Sequence, residues 1–591
     1  MVKRFLITTA LEQTWRQDVP VLFLGEWCRR YDRRHIWERM DAQVVSYHWD
    51  DREKLHRDYL YLRDLHEGLL AELGDYLNAL HGVDHSLRYW RILVGPWLGY
   101  FVQVLFDRWC MLRKACNEHQ VSGVRVLKRS ILNVVANDMR DFSDLYVEDE
   151  WNENVFGDLI TTLRMPVEWM EAREASSQSM RGTRSVRSTL RNVAGQMARE
   201  LSGALCTDRE YVFVSSYLPR RQDFQLQCLL GQLPKIWQLP EVPRYSANPV
   251  TREELMTTLP NAENFEELAR YMIHRHLPKA YLEGYPDLVV RTGKLGMPER
   301  PQAIFTANAY SSDDVFKLWA ASKTESGIPL LIGQHGGNYG MAKWGFTEDH
   351  QIAIADRFLT WGWTEPDQPN LTPAGNLKGF GKKQKNDAQG VALLIQMTMP
   401  RYSYHMYSVA VASQWLDYFE DQCRFVKALS SDVLGQTLVR LYKHDYGWCQ
   451  KQRWRDRFPL VRLDDGRRTM RSLINQSRIC ISTYNATTYL ESLSLNVPTL
   501  MFWNPAHWEL RTSARPFFES LSSVGIFHTT PEGAANHLTR VWDDIDGWWN
   551  NAETQRVRLG FCDRYARLPE KPLHMMAGIL RKASRQSGMS D

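Results

Sequence analysis

Ile328-Pro329-Leu330-Leu331-Ile332-Gly333-Gln334-His335-Gly336-Gly337-Asn338-Tyr339-Gly340 reads as a short buried strand running directly into a loop. Four glycines surround one histidine in that loop. Glycine lets the main chain take positive φ and brings amide N–H groups close to anionic oxygens with no Cβ in the way. The stretch therefore predicts an α/β unit with a functional loop at a strand's carboxyl end. Gly333, Gln334, His335, Gly336 and Gly337 are its candidate contact residues. No Lys-Ser/Thr follows the last glycine and the G-x-G-x-x-G spacing is absent, which excludes a Walker loop and a dinucleotide fingerprint. A glycine-rich turn around a buried, hydrogen-bonded histidine would leave the same pattern.

Upstream, strand-like Tyr211-Val212-Phe213-Val214 precedes Ser215 to Pro219, and Ala303-Ile304-Phe305 precedes Thr306 to Tyr310. Ligands collect at the carboxyl ends of strands in open α/β sheets, so these two loops join the glycine loop as one expected crevice. Ser311-Ser312-Asp313-Asp314 then opens a helix. Asp313 and Asp314 are helix caps by position; facing the cleft, either would serve as a general base or a nucleophile toward a sugar. Glu12, just past the apolar run Phe5 to Ala10, is a second base candidate. Between these segments, Leu55, Tyr59, Leu62, Leu65, Leu69 and Leu73 recur three or four apart, the stripe of a long amphipathic helix. Helical periodicity dominates from there to about residue 145. Arg181, Arg184, Arg187 and Arg191 follow a polar stretch at helical spacing, either a solvated basic face or a patch for anionic headgroups.

Downstream, a second α/β unit begins near Asn386. Val391 to Ile395, Thr437 to Tyr442, Arg478 to Ser482 and Thr499 to Phe502 read as strands separated by helical segments, an alternation that predicts a parallel doubly wound sheet. Its third strand enters Ser482-Thr483-Tyr484-Asn485-Ala486-Thr487-Thr488-Tyr489-Leu490-Glu491. A helix start beside hydroxyls offers free N–H groups and partial positive charge to a phosphate, which nominates Ser482, Thr483, Thr487 and Thr488. Simple N-caps would look alike. Glu491, one turn further in, is placed to accept from ribose hydroxyls. Lys443 and His444, at another strand end, would neutralise a leaving phosphate or remain solvated. The expected architecture is two facing Rossmann-like domains with a cleft between them.

Composition sets the bounds. The 591 residues suit two or three domains, with 44% hydrophobic and 24% charged residues, as in ordinary folded proteins. Lys plus Arg number 73 against 69 Asp plus Glu, which gives no general drive toward nucleic acid. Nine scattered cysteines without a C-x-x-C pair suit free thiols better than a disulfide framework or a zinc site. The N-terminal apolar run is too short for a signal-peptide core, and Ile92 to Phe106 falls short of the roughly 18 residues a membrane span needs. A cytoplasmic protein is expected, peripheral at the inner membrane if the arginine face meets lipid.

The blocks Leu6-Ile7-Thr8-Thr9-Ala10-Leu11-Glu12 with Trp15, Phe23-Leu24-Gly25-Glu26-Trp27-Cys28, Tyr89 to Trp97, Ile332 to Gly340, and Leu490-Glu491 through Pro498-Thr499 resemble a transferase family encoded in bacterial O-antigen (lipopolysaccharide), capsule and nonulosonic-acid gene clusters. More distantly the chain resembles GT-B glycosyltransferases that move Kdo or sialic-acid-like sugars from CMP. That resemblance implies an N-terminal acceptor-side domain over 1–385 with a helical insertion at about 50–200. It also implies a nucleotide-sugar domain over 386–545, followed by a helical tail over 546–591. It places the nucleotide over Thr487, Thr488 and Glu491, an aspartate such as Asp313 or Asp314 at the anomeric carbon, and a glycan or lipid-linked acceptor opposite. Such enzymes need no metal or other cofactor, and no D-x-D stands at a strand end here. The alternatives are an NDP-sugar or CDP-polyol-phosphate transferase and a non-catalytic assembly protein.

Overall fold

Short apolar segments flanked by turns form three parallel sheets in a computed structural model that describes residues 2–128, 134–171, 207–254, 264–380, 385–403 and 405–587. The arginine stripe Arg181 to Arg191 lies outside the described residues. The first sheet contains β1 (Arg4–Ile7), β2 (Val21–Phe23), β3 (Ala42–Val44), β4 (Val121–Lys128) and β5 (Val167–Glu171), in the order β3-β2-β1-β4-β5. The second contains β6 (Tyr211–Val214), β7 (Ala303–Thr306), β8 (Leu330–Gly333), β9 (Arg357–Thr360) and β10 (Leu371–Pro373), in sequential order. The third contains β11 (Val391–Ile395), β12 (Thr437–Arg440), β13 (Arg462–Asp464), β14 (Ser477–Ser482), β15 (Thr499–Phe502) and β16 (Phe527–His528), in the order β13-β12-β11-β14-β15-β16. That last order is the doubly wound one, with a switch point between β11 and β14. The α/β class and the facing Rossmann-like halves expected from the sequence are present.

The apolar runs at residues 5–10 and 21–25 read as an α/β opening, and they supply β1 and β2, but their completion into a separate five-stranded sheet was not expected. A helical insertion is expected at about 50–200, yet β4 and β5 lie inside that range and complete a sheet begun by β1 to β3. The helical part is real and is made by α1 (Arg52–His81) and α2 (Gly95–Glu118). The carboxylate of Asp51 accepts from the Lys54 N–H to cap α1, its leucine stripe is buried, and Gly82 ends it in the left-handed region at φ 63°. Further helices used below are α3 (Asp149–Thr162), α4 (Arg220–Leu229), α5 (Asp314–Glu325), α6 (Phe346–Ile354), α7 (Thr487–Ser494) and α8 (Pro572–Ser587).

The second sheet shows why the chain's last helix matters. Both faces of a parallel sheet must be covered, and one of them meets the main core. Val212, Val214, Ile304, Leu330, Ile332 and Phe358 point into the main core on that side. Their neighbours Tyr211, Phe213, Phe305, Leu331 and Leu359 point the other way, where Leu226 of α4 and Met576, Ala577, Leu580 and Ala583 of α8 cover them.

Polar contacts bring the carboxyl edges of the sheets together. Past β11, Arg401 pairs with Asp149 of α3 at 2.6 Å and also donates to the Trp27 carbonyl beyond β2. Arg108 of α2 donates to the Ser403 carbonyl at 2.8 Å. Beyond β8, the backbone at Ala342 bridges to Leu510, and Arg511 pairs with Glu348 of α6.

Candidate functional site

Each residue of the glycine loop has a distinct task. Gln334 is 1% exposed, and its side-chain oxygen accepts from the Trp361 amide at 3.0 Å and from the Trp363 indole at 2.9 Å. Gln334 thus fixes the loop's exit angle to the end of β9. A Cβ at Gly333 would meet Leu377 Cδ1 at 2.6 Å, so a larger residue there would force that side chain to shift. Gly336 (φ 143°) and Gly337 (φ 79°) take conformations that side-chained residues rarely adopt. The Gly337 N–H then donates to Thr487 Oγ1 at 2.8 Å, across the boundary between the second and third sheets. A Cβ at Gly336 would stand 2.2 Å from that same oxygen. The loop ending β8 and the helix following β14 are thereby joined.

His335 lies partly exposed at this junction, with its Nδ1 buried and without a hydrogen-bond partner. The rings of Tyr339, Tyr217 and Tyr310 surround it at centroid distances of 5.5, 6.1 and 6.5 Å. Loss of hydration and the nearby positive charge of Lys378 lower its pKa to about 4, against a bond with Gln351 that acts the other way. The imidazole is neutral at physiological pH and can accept a proton. Lys378 also stands 4.8 Å from the Tyr217 ring, in the turn Leu377–Gly379, which lies against α7. The three loops grouped by sequence, after β6, β7 and β8, meet here through Tyr217, Tyr310 and His335. Ser215 and Tyr217 carry positive φ values of 49° and 58°, strain of the kind found at ligand-binding edges.

On the other side, α7 starts at the β11/β14 switch point with Ala486 at its N-cap and no side-chain cap bond. Its first-turn N–H groups are thus left to a ligand or water. Thr488 Oγ1 shares a hydrogen bond with Tyr484 at 3.0 Å, and Glu491 is partly exposed one turn further in.

The remaining sequence candidates fall elsewhere. Thr483 is fully buried, donating to the Ile395 carbonyl at 2.8 Å, and Ser482 donates to the Tyr484 carbonyl at 3.3 Å; both hold the switch-point turn rather than line an opening. Lys443 and His444 are exposed on the loop beyond β12. Asp314 is 1% exposed and is bound by Lys317 at 2.6 Å, the Tyr281 hydroxyl at 2.7 Å and the Met139 amide at 2.8 Å, a buried ion pair with no free oxygen for a substrate. Asp313 caps α5, accepting from the Phe316 N–H at 3.0 Å, and lines a separate cavity of about 440 Å³ with Arg140 and Arg244. Burial raises its pKa to about 6. Glu12, in the turn beyond β1, is held by Nε and Nη2 of Arg33 at 2.5 and 2.8 Å.

Sequence reasoning missed Lys378, Tyr339, Glu348 and Arg511. Lys378 stands in Lys378-Gly379-Phe380-Gly381-Lys382-Lys383, just before the second α/β unit, where its only signal is a cation among glycines. Among the described residues no cluster of three or more histidine, cysteine or carboxylate groups is placed to hold a metal, and no helix is long and apolar enough to cross a membrane.

Residues 4–580 match the model of the LIC12162 family transferase. No protein of curated function matches the sequence. Among solved structures, the chain is similar to the glycosyltransferase VinC in complex with DTDP, at 11% identity over 64% of this chain and 100% of that one, with a TM-score of 0.35. It is also similar to the spinosyn rhamnosyltransferase SpnG complexed with spinosyn aglycone, at 11% identity over 63% of this chain and 99% of that one, with a TM-score of 0.27.

Proposed function

Because the chain belongs to the LIC12162 family of transferases, we propose that the group transferred is a sugar, carried by a nucleotide donor of the CMP-nonulosonate or CMP-Kdo type to a lipid-linked or surface-glycan acceptor. The observation that carries this reading is the Gly337-to-Thr487 hydrogen bond, which sets a neutral imidazole beside an uncapped helix N-terminus and a lysine. The α7 N–H groups, Thr488 and Lys378 take the donor phosphate, and Glu491 takes the ribose. His335 takes the acceptor's proton. The acceptor oxygen then bonds to the anomeric carbon as the bond to the phosphate oxygen breaks, its electron pair leaving on the nucleotide. With Asp314 consumed by Lys317 and Asp313 spent on capping α5, direct displacement is favoured over a covalent aspartyl intermediate. Thr487 shifts from Gly337 to phosphate if the loop opens to admit the donor.

Calorimetric titration of CMP, CDP, UMP and UDP tests the donor. CMP is expected to bind, and Lys378→Ala is expected to weaken it about tenfold, the scale of one charge-assisted hydrogen bond. Binding of UDP but not CMP would redirect the assignment to an NDP-sugar, and a chain that binds no nucleotide would end it. His335→Ala should abolish transfer with the thermal midpoint unchanged; glycan assembly that survives this variant would point to a non-catalytic role.

A further inference from the structure

Away from the cleft, α4 and Leu573 of α8 line an open groove of about 940 Å³ whose walls are mainly apolar, formed by Phe224, Cys228, Leu229 and Leu573, with Arg220, Arg221 and Gln225 also lining it. Beside it, α8 is sharply two-faced. Met576, Ala577, Leu580 and Ala583 are buried on the second sheet, whereas His574, Arg581, Lys582 and Arg585 form one exposed stripe. No acid occurs in α8, and the one acid of α4, Asp223, is turned inward onto Ser216 and Gln227. Glu570, two residues before α8 in the chain, is exposed. Just past α4, Leu233 is 65% exposed.

Apolar walls beside five arginine and lysine side chains, with the acid of α4 withdrawn, complement one kind of partner: a surface that is negative at its headgroups and apolar beneath. We infer that the α4/α8 face docks on an anionic lipid membrane, Arg220, Arg221, Arg581, Lys582 and Arg585 meeting headgroup phosphates while the groove receives an acyl or prenyl chain. Each such cation strengthens attachment to an anionic bilayer about fivefold. The face also adjoins the site: α4 begins shortly after Tyr217, whose ring centroid is 6.1 Å from that of His335. An acceptor carried on a lipid would then reach the imidazole along the membrane; that route rests on the transfer reaction above, whereas the docking does not.

The test is cosedimentation of the full chain with vesicles of phosphatidylcholine alone and of phosphatidylcholine with phosphatidylglycerol, which needs neither donor nor turnover. Binding is expected with the anionic vesicles, weakened by added salt and about a hundredfold weaker in Arg581→Glu/Lys582→Glu/Arg585→Glu. The pair Lys582→Glu/Arg585→Glu, which spares the bond from Arg581 to the Leu229 carbonyl, serves if the triple variant misfolds. An environment-sensitive label on Cys228, in a background with Cys110, Cys116, Cys206 and Cys449 replaced by Ser, should shift to the blue on vesicle binding. Equal binding to neutral vesicles, no binding to either, or charge reversal without effect would overturn the inference. A doubled mass by light scattering with Cys228 occluded in the absence of vesicles would assign the groove to a second copy and equally overturn it.

Discussion

His335 combines three properties: a pKa lowered to about 4, an unpartnered Nδ1, and a lysine as one cause of the shift. A base is active above its pKa and fails as pH falls through it, so the acid limb of kcat/KM, which reports the free enzyme, should lie near pH 4. A bound anionic donor would offset Lys378 and let the imidazole pKa rise. The acid limb of kcat is therefore expected at higher pH than that of kcat/KM, and coincident limbs in a pH-rate series would argue against His335 as the base. Asp313 runs the opposite way. Its pKa is raised to about 6, so the folded state holds a proton that the unfolded chain releases, and stability falls as pH rises from about 4 through 6. Asp313→Asn keeps the cap and removes the buried charge. At pH 8 it should raise stability by about 1–2 kcal/mol in denaturant titrations, with little change at pH 4.

The β8 loop and α7 are joined into one structural element, although about 150 residues separate them. Gly336 is at φ 143° and directly against Thr487, so Gly336→Ala brings both backbone strain and a clash. The expected cost is about 1–3 kcal/mol together with a loss of transfer. Adding Thr487→Ala should relieve the clash but not the strain, and so recover part of the stability; a double variant no better than the single one would mean that the loop is not seated on α7. The loop was legible because glycine spacing after an apolar run has few other uses. Its partner was legible as a helix start. The contact between them was not, because no local pattern states which helix a loop will meet.

Across the whole molecule, buried ion pairs lock regions that are distant in sequence. Arg401 is 5% exposed, and its removal leaves the Asp149 carboxylate buried and uncompensated between the first and third sheets. Arg401→Ala should therefore cost about 3–5 kcal/mol and lower the main calorimetric transition. An unchanged transition would show that the two regions unfold independently. The same long-range logic explains why the completion of the first sheet by β4 and β5 was unforeseen. Strand β4 has eight residues, but it is separated from β1 by two long helices whose strong periodicity dominates a reading of the sequence.

The sequence by itself determined the α/β class, the parallel winding of the 391–502 segment, the glycine loop with its histidine, and the helix start at Thr487. These are carried by local periodicity, by the steric freedom of glycine and by the free N–H groups of a helix's first turn. Only the tertiary structure decided what surrounds each charged group. Asp314, Glu12 and Lys378 look alike as isolated letters. Burial against Lys317, a surface fork from Arg33 and a position beside His335 give them three different fates, because a side chain's electrostatic role depends on the neighbours and hydration that folding supplies.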